Sequence, residues 1–314
     1  MIVDVHSHLL PQELLPPNAV SSMKLMSDVE SFLRAQEESP VDFTVISQPM
    51  LMEARLKDGP AVMIDLARRC NDWLAGLVTR YPSRLASLAV VYPQGGDAFL
   101  REFERCVREL DMRGAMVCPR YGDLFLDSPE AAEFLALACQ LDVPIYLHPP
   151  GVTFAKGYLA PCRLDETIGR GFETAVALGR LVMLGVLERY PTLKIAASHV
   201  GGAFTSVLGR LEYSYELRDK PFYGLEPELP LPPSAYTRRL WVDTVVFWLP
   251  ALRAAIETFG TDKVMLGSDT PPLPFPYAKS VDAVRALGLP PAEEAAVLGE
   301  NAEALFRLSA VARA

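Results

Sequence analysis

The chain alternates short runs that are apolar on both faces with longer stretches that are apolar on one face only. Eight short runs, at 2–6, 42–47, 85–91, 113–118, 143–148, 193–199, 240–246 and 263–268, are rich in Val, Ile, Leu or Ala. Strands covered on both sides have this composition, because neither face meets water. Between them, stretches at 60–80, 94–110, 128–140, 172–190, 202–218 and 248–259 read as helices. The 94–110 stretch shows the period well. Phe99, Phe103, Cys106, Val107 and Leu110 share one face, while Arg101, Glu104, Arg105 and Arg108 occupy the other. Asp127-Ser128-Pro129 opens the next helix, where proline's missing N–H costs nothing, and Pro191 stops the helix that ends at Tyr190.

Eight strands alternating with helices over 314 residues predict an α/β fold, a single-domain (β/α)8 TIM barrel spanning 1–314. An open doubly wound sheet fits less well. No Gly-x-Gly-x-x-Gly follows the first strand, and His6-Ser7-His8 stands where a phosphate loop would be. Proline-rich loops at 11–17, 227–233 and 271–276 read as stiff connections rather than domain linkers, since periodic segments continue on both sides.

Charge and cysteine content narrow the function classes. A net charge of −9 argues against a nucleic-acid partner. No apolar run reaches the ~18 residues of a membrane span, and no basic leader precedes the first strand, so a cytoplasmic location is expected. The five cysteines (Cys70, Cys106, Cys118, Cys139 and Cys162) are odd in number and contain no Cys-x-x-Cys pair, which argues against a disulfide framework or zinc knuckle. Cys118 and Cys162 are expected near the mouth of the barrel.

The four histidines carry the chemistry. His6 and His8 lie in IVDVHSH, His148 in VPIYLHPP and His199 in LKIAASHVGG, each at the end of an apolar run; a fifth run ends at Asp269 in KVMLGSD. In a barrel, side chains at one set of strand ends converge on a site. Alternate residues of an extended strand point the same way, so His6 and His8 project together. Paired neutral imidazoles suit a borderline divalent ion. Pro149-Pro150 stiffens the chain after His148, and Gly201-Gly202 lets backbone approach a ligand after His199. The reading is a single divalent metal, zinc foremost, held by His6, His8, His148 and Asp269. His199 is then left as general acid/base. A fifth-ligand role for His199 stays open.

DVHSHLLP, YLHPPG, GVLERYPTLKIAASHVGGAF, GSDTPPLP and GENAEALFRL together span nearly the whole chain. On these motifs the chain resembles the amidohydrolase superfamily, in the branch that holds aminocarboxymuconate semialdehyde decarboxylase and γ-resorcylate decarboxylase. The resemblance implies one divalent metal and non-oxidative loss of CO₂ from a small unsaturated or aromatic acid, with His199 and Asp269 catalytic. It also implies a homodimer. The lysine that bridges two metals in many superfamily members is missing, since strand four ends Met116-Val117-Cys118-Pro119-Arg120. The arginine that relatives place ahead of strand two has only Arg34 as a counterpart. Arg120 is therefore the first candidate for holding the substrate carboxylate, followed by Lys156, Arg163 and Arg170. Phe204 and Trp248 are candidates for an apolar substrate wall. Metal-dependent hydrolysis of a lactone or amide, or hydration, is the alternative reaction for the same ligand set.

Overall fold

The computed structural model describes residues 1–15, 20–150, 156–222, 229–273 and 277–308. Its strands are β1 (Val3–His8), β2 (Phe43–Ser47), β3 (Leu85–Ser87, resuming at Ala89–Val90), β4 (Ala115–Val117), β5 (Ile145–Leu147), β6 (Ile195–Ala197), β7 (Leu240–Asp243) and β8 (Val264–Met265). A helix follows each in turn: α1 (Val29–Glu37), α2 (Pro60–Arg80), α3 (Asp97–Arg108), α4 (Ala132–Leu141), α5 (Arg170–Met183), α6 (Phe204–Glu216), α7 (Leu249–Phe259) and α8 (Tyr277–Arg285).

Every consecutive strand pair from β1 to β8 is parallel. β3 is the joint, pairing with β2 through its first stretch and with β4 through its second. The last strand returns to the first. Val5 N–H donates to the Leu266 carbonyl at 3.0 Å, Asp269 N–H to His6 at 2.8 Å and His8 N–H to Thr270 at 2.8 Å. The chain is a (β/α)8 barrel.

Two cores follow from the two faces of each strand. Inside the ring, Val3, Val5, Phe43, Val45, Leu88, Met116, Tyr146 and Met265 pack together, closed from the N-terminal ends of the strands by Leu305 and Phe306 of the short helix Asn301–Phe306. Outside, Ile46, Val90, Val117, Ile145, Leu147, Ile195, Val242 and Leu266 face the helices. With the lower interior filled by apolar side chains, only the C-terminal strand ends are left for polar ones.

The expected strands and five of the six expected helices are present with ends moved by a few residues, while the helix expected over 172–190 is broken at Gly185 (φ 65°) into Arg170–Met183 and Val186–Arg189. α1, α8 and the antiparallel hairpin Arg120–Tyr121/Leu124–Phe125 lie beyond those expectations. The hairpin has only two residues per strand, too few for a periodic signature, whereas α8 does carry one, with Tyr277, Ser280, Val281 and Val284 buried at i, i+3, i+4 and i+7.

Candidate active site

The two leading histidines face inward because β1 is irregular. Its register against β2 shifts between Asp4 and Ser7. Val3 and Val5 belong to the interior core, so strict alternation would carry Ser7 inward and turn both histidines out. The bulge reverses the parity, bringing His6 and His8 to the interior. On β8 the alternation is regular, running Met265, Gly267, Asp269. A Cβ on Gly267 would lie 3.0 Å from the Cβ atoms of both His6 and Asp243. Glycine is needed there so that the strand ends can close around the site.

Four donors converge: His6, His8, His148 and Asp269 are all buried, and one ligand atom from each lies within 4.8 Å of the others. His8 Nε2 is 3.1 Å from His6 Nε2, 3.3 Å from His148 Nε2 and 3.3 Å from Asp269 Oδ1. The neighbours of the far ring nitrogens assign the tautomers. His6 Nδ1–H donates to Asp243 Oδ2 at 2.6 Å. Ser47 Oγ can spend its proton on the Ser7 carbonyl at 3.2 Å, which leaves it to accept from His8 Nδ1–H at 3.3 Å. The Nε2 atoms then present lone pairs to one another and to a carboxylate oxygen. That arrangement is repulsive until positive charge enters it, so the residues fit a single divalent cation.

The charge states of His148, His8 and Asp269 agree with such a donor set, while the carboxylates around His6 favour its charged form. Burial, reinforced by His8 and His6, pushes the His148 imidazole well below its ordinary value, and burial also lowers that of His8. Burial works against charge on His6, but Asp243 and Asp269 outweigh it and raise its value. On Asp269, too, burial opposes charge, yet His6, His199 and His8 hold the carboxyl well below the usual range.

His199 stands beside this set. β6 ends at Ala197, and His199 begins a tight turn in which His199 and Val200 take positive φ values of 55° and 53°. Such backbone costs of order 1–3 kcal/mol per residue and persists only where surroundings enforce it. One enforcing contact is at Gly202, where a Cβ would sit 2.2 Å from the Gly171 carbonyl oxygen of α5. The imidazole Nδ1 lies 3.0 Å from Ser198 Oγ, and Nε2 lies 3.5 Å from Asp269 Oδ2. Asp269 therefore turns one oxygen to the metal donors and the other to His199.

A cavity of about 660 Å³ opens above His199 and Asp269. Val200, Val245, Val246, Phe247 and Leu273 supply apolar walls, and Ile168, Arg163 and Arg170 come from the segment leading into α5. Three residues expected to contact substrate lie outside the lining of this cavity. Phe204 is fully buried and stacks on Phe259, because the first turn of α6 packs against α7. Trp248 is 64 % exposed and caps α7; its neighbour Phe247 lines the cavity. Arg120 is drawn to buried Glu173, with Nε 2.8 Å from Oε1, and lies outside the cavity lining.

Arg170 does line it, and its Nε donates to the Pro150 carbonyl at 2.8 Å, two residues beyond His148. Arg163 pairs with Glu166 at the rim, Arg34 is exposed on α1, and the side chain of Lys156 lies outside the described residues. Cys162 lines the cavity, whereas Cys118 is buried with its thiol pushed well up by burial, which disfavours the thiolate. Asp243 was not singled out from the sequence. It ends β7, is fully buried, and accepts from both His6 and the Tyr146 hydroxyl, the latter at 2.5 Å. The run read as 240–246 puts Asp243 in mid-strand, so no strand-end signal marked it.

A profile of the amidohydrolase family matches residues 3–308. The 2-amino-3-carboxymuconate-6-semialdehyde decarboxylase of Dictyostelium discoideum is 27 % identical over 312 residues, covering 89 % of this chain and 83 % of that protein. The γ-resorcylate decarboxylase of Rhizobium radiobacter is 30 % identical over 264 residues, covering 78 % and 77 %. Among solved structures, 5-carboxyvanillate decarboxylase of Novosphingobium aromaticivorans, complexed with manganese and 4-hydroxy-3-methoxy-5-nitrobenzoic acid, superposes with a TM-score of 0.87 at 22 % identity over 98 % of this chain and 96 % of that one.

Proposed function

The chain belongs to the amidohydrolase family, and from that premise we propose that it is a metal-dependent carboxy-lyase removing CO₂ from a small aromatic or unsaturated carboxylic acid. The observation that carries this reading is the spare imidazole. Four donors suffice for one ion, and His199 stands next to them facing the cavity. Both sequence relatives described above are decarboxylases.

In this reading His6, His8, His148 and Asp269 hold the divalent cation, which when bound supplies Lewis acidity for a substrate oxygen. Three imidazoles and one carboxylate favour zinc, with manganese the competitor. Asp243 fixes the His6 ring so that Nε2 faces inward. The Arg170 guanidinium, anchored through Nε, is the side chain that offers its remaining N–H groups to the carboxylate. Val245, Val246 and Phe247 exclude water and orient an apolar ring.

His199 then delivers the proton on Nε2 to the carbon bearing the carboxylate. That carbon's bond to CO₂ breaks, and its electron pair restores the unsaturated system. One proton is consumed per turnover. His199, with 20 % of its side chain exposed, regains it from solvent. Asp269 Oδ2 steadies the imidazolium until its proton is delivered.

Exposed apolar residues on α5 and α6, Phe172 and Val176 at 46 % and Tyr213 at 45 %, support a homodimer. Five free cysteines support a reducing compartment such as the cytoplasm. Among the described residues no helix is long and apolar enough to cross a membrane. The direct test is to supply hydroxybenzoates and unsaturated dicarboxylates in D₂O. The reading predicts CO₂ release with deuterium at the vacated carbon. Hydrolysis of lactones or amides, or hydration, without CO₂ would replace it.

A further inference from the structure

Behind the donors, on the outer face of β1, lies a carboxylate that touches neither cation donor atoms nor cavity. Asp4 is fully buried. Its Oδ1 accepts the backbone N–H groups of His6 and Ser268, both at 3.0 Å. Its Oδ2 accepts the hydroxyls of Ser7 and Ser268, both at 2.6 Å. All four acceptor positions of the carboxylate are therefore used, and they join two places in the chain. One is the bulge that turns His6 inward. The other is the residue immediately before Asp269.

Ordinary ladder bonding also joins these segments, through Asp269 N–H to the His6 carbonyl and His8 N–H to that of Thr270. The ladder alone does not fix the irregular register, because a bulge leaves an extra residue unpaired. Asp4 binds the amide of His6 within that irregular stretch. A slip of one residue at this point would replace His6 by Ser7 in the interior.

We propose that Asp4 is a positioning residue for the cation site, clamping the β1 bulge to the Ser268 turn so that His6, His8 and Asp269 keep the spacing of one ion. The inference rests on the reading that these donors hold a divalent cation.

The test is Co²⁺ binding to the metal-free full-length protein, measured by competition with a chromophoric chelator together with the visible Co²⁺ spectrum. Asp4→Asn, which removes the charge and two acceptor positions, is expected to weaken Co²⁺ about 10- to 100-fold and to change the spectrum. Asn71→Ala, which disrupts a buried network remote from the site, serves as the comparison: it lowers thermal stability and leaves both readouts in place.

Co²⁺ affinity of Asp4→Asn within threefold of wild type, or an equal loss in Asn71→Ala, overturns the proposal. If Asp4→Asn does not fold, Ser268→Ala carries the test. It keeps the carboxylate and removes one hydroxyl, with severalfold weaker Co²⁺ expected and unchanged affinity overturning the clamp. Wild-type protein that takes up no Co²⁺ overturns the cation site itself, a result distinct from a wild type that binds while Asp4→Asn binds equally.

Discussion

Glu102 and Asp269 are both buried carboxylates of one barrel protein, and they are treated in opposite ways. Glu102, on α3, has every oxygen answered. Arg105 donates from Nε at 2.9 Å and Nη2 at 2.8 Å, Asn71 from Nδ2 at 2.9 Å, and the Cys106 thiol at 3.4 Å. Asn71 in turn donates to the Val90 carbonyl and accepts the Val90 N–H. Asp269 instead faces two imidazole nitrogens at 3.3 and 3.5 Å that are held as acceptors by Ser47 and Asp243 behind them. The first network is complete as protein alone. The second is completed only by something that is not protein. Buried polar groups that answer one another stabilise; buried acceptors aimed at a common point mark a binding site.

The largest effect should come from breaking the second network. Asp269→Asn, or removal of the cation by a chelator, is expected to lower turnover about 10³-fold or more, a loss of ~4 kcal/mol in transition-state stabilisation. Steady-state kinetics and a thermal melt check that activity falls while the fold survives. Next comes His199→Ala, expected to lower kcat by ~10²–10⁴ while the bound metal, read by elemental analysis, stays at one per chain. Loss of metal in that variant would make His199 a ligand. Arg170→Gln should act on binding, raising KM by roughly 10- to 100-fold, as loss of a charged hydrogen bond of ~1.5–3 kcal/mol implies.

The first network should respond only in stability. Glu102→Gln leaves Arg105 facing an amide and is expected to cost ~1–3 kcal/mol in urea unfolding, with kcat/KM unchanged. The smallest effect is in the acid limb. Burial opposes charge on Glu102, but Arg105 and Asn71 outweigh it and hold its carboxyl below the ordinary range. A carboxyl lowered in the folded state adds stability above its unfolded value and loses it as pH falls through the folded one. This contribution should therefore fade below about pH 4.5, and Glu102→Gln should flatten that part of the stability curve.

The comparison also explains what could be read from the sequence. His6, His8, His148 and Asp269 were legible because strand ends are visible as the ends of apolar runs, and a barrel turns strand ends into a site. The β1 bulge was not. The expectation that His6 and His8 share a face holds, but strict alternation from Val3 would have placed them outside the barrel. Arg120 and Phe204 lie outside the cavity lining because their partners are distant in sequence, and Trp248 because its side chain is exposed. Glu173 draws Arg120 away, Phe259 covers Phe204, and Trp248 stays 64 % exposed among the described residues. Asp243 was hidden by a strand boundary. Read as 240–246, the run places it in mid-strand, whereas β7 stops at Asp243 itself. Sequence pattern shows which residues reach the mouth of the barrel, and tertiary charge pairing decides which of them face the substrate.

The most direct test of the whole account is anomalous diffraction at the metal edge on crystals of the protein reconstituted with a divalent ion. The account predicts a single peak per chain within bonding distance of His6, His8, His148 and Asp269, with His199 outside the coordination sphere. Two peaks, a peak elsewhere, or none at this site after saturation would contradict it.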